Sequence, residues 1–152
     1  MLEKIISGGQ TGADIAAIDA AIASNFPYGG WLPKGRKTEK GSLSMHYQMQ
    51  EMTTGGYPKR TEKNIKESDG TVIFTHQNLT GGSKLAGDLA ERLGKPWLHI
   101  NFNKTDSNKV ISLLSGWIKK NKINVLNVAG SRASKDVDIY DKVFLAINNI
   151  IK

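Results

Sequence analysis

Three short stretches carry the residue types that could hold an anion. They read Ser7-Gly8-Gly9-Gln10-Thr11-Gly12, Thr80-Gly81-Gly82-Ser83 and Ala129-Gly130-Ser131-Arg132, and each links an apolar run to a predicted helix. Glycine lacks Cβ, so the backbone can turn sharply and approach a ligand closely. A helix start supplies unpaired N–H groups and the positive end of the helix dipole. Hydroxyls from Thr11, Ser83 and Ser131 add further donors, and Gln10 adds an amide. One such turn is ordinary turn chemistry. Three on one edge of a sheet would form a site for a phosphate-bearing ligand.

Two further segments bring positive charge. In Gly29-Gly30-Trp31-Leu32-Pro33-Lys34-Gly35-Arg36, Arg36 is expected to fork onto a phosphate or carboxylate and Lys34 to act as a point charge. In Tyr57-Pro58-Lys59-Arg60-Thr61-Glu62-Lys63-Asn64, Arg60 is expected just before a helix start and Asn64 one turn into it, both towards the sheet edge. The acids nearest this constellation are Asp14, Glu39, Glu62, Asp69 and Asp88, and no spacing among them compels an acid/base pair. Asp69 reads as a turn former. His46, His76 and His99 are dispersed without metal-ligand spacing; His76, past a strand end, is the one placed nearest a ligand. His99 reads as structural, Trp97 and Trp117 as core or interface, and Trp31 as a candidate for ring stacking.

Elements must position these turns. The first unit, 3–24, is an apolar strand, the glycine turn and a helix that is apolar nearly all round, with Ala13, Ala16, Ala17, Ile18, Ala20, Ala21 and Ile22. Phe26 to Trp31 reads as a short second strand. Residues 32–59 form a long excursion with little periodicity, in which 45–49 is expected to make a helical turn. Thr61 is the expected cap of a helix running to Ser68. Thr71 to Thr75 is a β-branched strand, followed by a helix with Leu85, Ala86, Leu89, Ala90 and Leu93 on one face and a stop at Gly94. Trp97 to Ile100 is the next strand. A helix from Asp106 or Ser107 carries Val110, Ile111, Leu114, Trp117 and Ile118. Ile123 to Val128 is the last strand, and a final helix from about Lys135 places Val137, Tyr140, Phe144, Ile147 and Ile151 on one face. About five strands alternating with helices predict an α/β fold: a Rossmann-like three-layer sandwich with a mainly parallel sheet. Residues 1–152 read as one ligand-binding domain, with the three turns at the carboxyl ends of the strands.

Composition narrows the function classes. The chain has no Cys, which removes disulfides, thiolate metal sites and Cys nucleophiles. No leader-like segment and no apolar run near the ~18 residues of a membrane span is visible, so a cytoplasmic protein away from membranes is expected. The net charge of +7 suits an anionic partner. No arginine-rich arm or basic–aromatic interleaving occurs, so a small anion rather than nucleic acid is the expected ligand. The first turn is neither Gly-x-Gly-x-x-Gly nor a P-loop, which disfavours a simple NAD enzyme or ATPase.

Together the five ordered blocks resemble the molybdenum-cofactor carrier family, a small-protein branch of the Rossmann-like superfamily that includes the lysine-decarboxylase-like phosphoribohydrolases. The blocks are 7–14, 29–36, 57–64 with Ser68-Asp69-Gly70-Thr71, 80–82 and 126–132. The resemblance spans nearly the whole chain. It implies a binding protein, homodimeric or homotetrameric, that holds molybdopterin or a related phosphorylated pterin or nucleotide without transforming it. It places Gly8, Gly9, Gln10, Thr11, Gly12, Gly81, Gly82, Ser83, Gly130 and Ser131 around the phosphate and pterin edge, with charge from Arg36, Arg60 and Arg132. The metal would arrive with the cofactor, and no catalytic residue is assigned. Two alternatives remain open: a nucleotide N-glycosidase or phosphoribohydrolase using Asp88 or Glu62, and a nucleotide-derivative sensor acting with a partner protein. The hydrolase pattern Pro-Gly-Gly-x-Gly-Thr-x-x-Glu is eroded here, with Thr80, Lys84, Leu85 and Asp88 at four of its positions. The carrier pattern departs too. Its Gly-Gly-Thr-x-x-Thr reads Gly81-Gly82-Ser83-Lys84-Leu85-Ala86, and Ser131 and Ala133 replace the Pro and Glu around the third-turn Arg.

Overall fold

In the computed structural model, which describes residues 1–152, five parallel strands form the central sheet. Along the chain these are β1 (Lys4–Ser7), α1 (Ala13–Ala23) and β2 (Tyr28–Gly29), then an excursion containing β3 (Trp31–Leu32), a 3-10 turn (Lys34–Arg36), β4 (Lys37–Thr38), β5 (Gly41–Ser42) and β6 (Gln50–Glu51). The remainder is α2 (Tyr57–Lys66), β7 (Gly70–Thr75), α3 (Gly81–Arg92), β8 (Trp97–Asn101), α4 (Ser107–Lys120), β9 (Val125–Gly130) and α5 (Ile139–Ile151). The sheet order is β2-β1-β9-β7-β8. The chain steps outward from β1 to β2 and, in the other direction, from β7 to β8. The last strand, β9, inserts between the two halves. Beside it the strand order reverses, and an open α/β sheet has its crevice at such a reversal.

The two faces of the sheet differ. Ile5, Val72, Phe74, Ile100, Leu126 and Val128 point to the side covered by α1, α4 and α5 and share one 20-residue apolar cluster with them. Strand alternation sends Thr71, Ile73, Thr75, Asn127 and His99 to the opposite side, under α2 and α3. There the apolar cluster is only Ile65, Leu89 and Ala90. The first face supplies most of the apolar burial. The second, more polar, leaves room for the site.

Several elements begin or end away from their expected positions. α2 starts at Tyr57, four residues before Thr61, because Gly56 is extended and Pro58 fits the first helical turn. Arg60 and Asn64 therefore both lie inside the helix. α5 starts at Ile139 rather than near Lys135; turns closed by Asp136 and Ile139 N–H groups occupy the preceding residues, and Val137 is exposed. Residues 45–49 make a turn with a Tyr47 N–H to Ser44 bond, not a helix. The second strand is confined to Tyr28–Gly29. Asp69 does more than shape a turn: its carboxylate accepts the N–H groups of Asn124 and Val125 and so fixes the entry to β9. No helix is long and apolar enough to cross a membrane.

Candidate functional site

The three glycine turns meet at the carboxyl end of the sheet, and the first and third are bonded to each other. Ala13 N–H, opening α1, donates to the Ser131 carbonyl at 3.0 Å, and Ser131 N–H donates to the Phe74 carbonyl at 3.1 Å. A Cβ on Gly12 would come within 2.4 Å of the Ser131 oxygen, and one on Gly130 within 2.2 Å of the Phe74 oxygen. Glycine is required at both positions because backbone meets backbone there. In the second turn, Thr80 N–H donates to Ser83 Oγ at 3.1 Å, and that hydroxyl donates to the Thr80 carbonyl at 2.7 Å. The N–H groups of Gly81 and Gly82 precede the first intrahelical bond of α3, and both residues line the cleft between the turns.

Between the turns and α2 lies a cleft of about 310 Å³. Tyr57, Arg60 and Asn64 form one wall, and the start of α3 forms another. Gly8, Gln10 and Asp14 lie on the β1–α1 side, and Asn127 to Arg132 come from β9 and its turn. Asp14 is the single carboxylate in this lining; Arg60, Arg132 and Lys135 are its cations. Arg60 is 7 % exposed, and its guanidinium lies 3.7 Å from Asp14 and 5.3 Å from the Tyr57 ring centre. It donates to the Gly8 carbonyl, and its buried Nε has no partner. An orphaned donor on a buried cation is costly unless an acceptor meets it. Burial pushes the Asp14 carboxyl up to about 6, against the opposing pull of Arg60 and of the Gln10 and Gly8 amides. Burial also lowers the Arg60 value, opposed by Asp14 and Tyr57.

Of the residues expected from sequence, Gly8, Gln10, Arg60, Asn64, Gly81, Gly82, Ser83, Gly130, Ser131 and Arg132 line this cleft. The Asn64 amide, however, is committed to the backbone of Trp31, accepting from its N–H at 2.8 Å and donating to its carbonyl at 3.0 Å. Gly9 and Gly12 lie behind the cleft, supporting the turn, and Thr11 donates to Glu39. Lys34 is exposed on the excursion, outside the cleft. Arg36 is also placed elsewhere: at φ 58° its side chain folds back onto the carbonyls of Leu43, Ser44 and Tyr47, so it organises the excursion. His76 pairs with Asp136 at 2.5 Å and faces a second cavity. Trp31 donates to Glu67 at 2.9 Å and lies under Lys63 rather than in the cleft. Sequence reasoning missed Tyr57, Asn127 and Lys135. Tyr57 opens a block already singled out, and Lys135 follows three residues after another. Asn127, with Asn124, is one of two polar breaks in the otherwise apolar run 123–128.

The carboxylates of the hydrolase alternative lie outside the cleft. Asp88 pairs with Lys84 at 2.9 Å and Glu62 with Lys66 at 3.8 Å. No group of three or more His, Asp or Glu stands together as a metal shell.

Comparison with known proteins matches residues 5–151 to the circularly permutated YpsA SLOG family. Among solved structures, the "Putative molybdenum carrier protein" from Syntrophus aciditrophicus SB is 48% identical, with a TM-score of 0.95. The match covers 98% of this chain and 94% of that one. No curated protein matches.

Proposed function

From the premise that this chain belongs to the circularly permutated YpsA SLOG family, we propose that it carries a small phosphorylated ligand, the molybdenum cofactor or a related pterin or nucleotide, in the cleft between β1, β9 and α3. The observation that carries this reading is the set of cations Arg60, Arg132 and Lys135 around a cleft in which the N–H groups of Gly81 and Gly82 precede the first intrahelical bond. A phosphate would meet both the cations and the amides. The cleft volume falls at the lower end of the usual ~300–1,000 Å³ of small-molecule sites. Asn127 and Tyr57 offer a polar edge and an aromatic face to the ring that a pterin or nucleotide adds to its phosphate. The metal is part of the cargo, held by the cofactor rather than by protein ligands. The same reading carries the homo-oligomer, for which light scattering on the eluted protein is the measurement.

Native mass spectrometry with metal analysis of the purified protein is the direct test: a bound phosphorylated pterin with molybdenum supports the proposal, and a metal-free unrelated adduct overturns the pterin. Arg60→Ala is expected to weaken binding of a phosphate monoester by about 10- to 100-fold in calorimetry, the range of a charged hydrogen bond. Because Arg60 is buried beside Asp14, the same change also lowers the melting temperature. Arg60→Lys keeps the charge and separates the two effects. Unchanged affinity in both variants would remove Arg60 from the site.

A second reading, nucleotide N-glycosidase, draws support from Asp14, a cleft carboxyl held near neutrality. Incubation with nucleoside monophosphates tests it: steady release of free base favours the hydrolase, and intact nucleotide favours carriage.

A further inference from the structure

The tip of the β4–β5 hairpin reaches back across the top of the sheet through one residue, Glu39. Its N–H donates to Gln10 Oε1 at 2.9 Å. Its carboxylate accepts from the Thr11 hydroxyl, from the Ser134 amide at 3.1 Å and from the Ser134 hydroxyl at 2.5 Å. Arg132 Nη1 stands 4.0 Å away. Thr11 in turn accepts the Ala133 N–H at 3.1 Å. A carboxylate thus sits in a cradle of amide, hydroxyls and guanidinium formed by the first and third glycine turns. Glu39 itself does not line the cleft; Arg132 does, and stands between the two. Burial opposes ionisation of Glu39, but the Ser134 and Thr11 bonds and Arg132 outweigh it and hold its pKa below the ordinary value.

We propose that Glu39 is the resident counter-anion of Arg132, a positioning residue that holds down the anion affinity of the cleft so that bound cargo can exchange. This rests on the reading of the cleft as an anion site. A carrier must release what it holds, and three cations around one phosphate, opposed within the cleft by Asp14 alone, would favour retention. Glu39 opposes them from behind the wall, where it offers the ligand no contact.

Sulfate is the probe, because it stays doubly charged throughout the working range. Glu39→Gln retains an oxygen acceptor for Thr11, lets the Ser134 hydroxyl reverse its role, and removes the charge. It is expected to bind sulfate about fivefold more tightly in calorimetry, the scale of one partly screened charge at this range. In an Arg132→Met background the same substitution is expected to change sulfate affinity by less than about twofold. Ser134→Ala, at an exposed position, takes one donor from the carboxylate, turns more of its charge onto Arg132, and weakens sulfate binding. A residue that only fastens the hairpin predicts otherwise: a lower melting temperature for Glu39→Gln with equal or weaker binding. That result overturns the proposal, as does a tightening that survives in Arg132→Met or a Ser134→Ala variant that binds as tightly as the parent. Wild-type protein that takes no sulfate overturns the anion-site reading and this proposal with it.

Discussion

Asp14 and Arg60 make the cleft sensitive to protons. The folded-state pKa of Asp14 is raised from 3.8 to about 6, so the neutral carboxyl is the form the fold prefers. Its contribution to stability is complete below about pH 4 and is lost as pH rises through about 6. Relative to Asp14→Asn, the wild-type protein is expected to lose about 1–3 kcal/mol between about pH 4 and about pH 7, read from urea melts across that range. Ligand binding follows the same proton: ionised Asp14 occupies Arg60 and repels an anion. Sulfate is therefore expected to bind several-fold more tightly at about pH 5 than at about pH 7.5, with the difference abolished in Asp14→Asn. No His lines the cleft to confuse the profile. At this scale the sequence was only partly legible. Arg36 and Arg60 both follow Gly- and Pro-rich stretches, and nothing in residue type separates them. Their roles diverge because Arg36 takes a left-handed backbone beside Gly35 and turns into its own loop, whereas Arg60 rides the first turns of a helix aimed at β1.

Among the elements, the glycine turns do two kinds of work that their sequences do not distinguish. Gly12 and Gly130 are fixed by close backbone approach, while Gly82 has nothing within 4 Å of where a Cβ would stand. Gly82→Ala is thus expected to stabilise the fold by about 0.5–1 kcal/mol, as alanine replaces glycine inside a helix. The same methyl stands in the cleft beside an amide proposed to meet the ligand, so anion affinity should drop while the melting temperature rises. Joint measurement by calorimetry and thermal melting checks this, and a variant that is more stable with undiminished affinity takes the α3 start out of the site. The start of α2 lies five residues before the one expected from Thr61, a better cap by composition than Gly56. Pro58 and the packing of Arg60 against Gly8 outweigh that local preference. Strands of two residues, as in the excursion, carry no periodicity to read; only the Gly and Pro punctuation of 32–59 signalled irregular backbone there.

Across the whole molecule, the alternation of strands and helices was enough to recover the three-layer fold, because a parallel sheet needs a crossover between each pair. Strand order was not legible, since it depends on which buried faces meet after the elements form. The two unequal faces carry a stability prediction. Leu114→Ala, in the 20-residue cluster, is expected to cost near the upper end of about 2–5 kcal/mol. Leu89→Ala, in the three-residue cluster beside the cleft, is expected near the lower end because that layer can relax into the cleft. Chemical denaturation of the two variants compares them directly, and equal losses would mean that the α2–α3 layer is packed as tightly as the other.

The position of β9 also bears on how the chain is made. It pairs with β1 on one side and β7 on the other, so neither half of the sheet can close until residues 125–130 have left the ribosome. From the completion of β7 at Thr75 until β9 is made, the nascent chain carries two open edges, those of β1 and β7, each able to accept a wrong strand. Pairing the fourth residue of the chain with the 125th also closes a very long loop in one late step. The strand that brings the third turn to the cleft is therefore also the one whose arrival commits the chain to its fold.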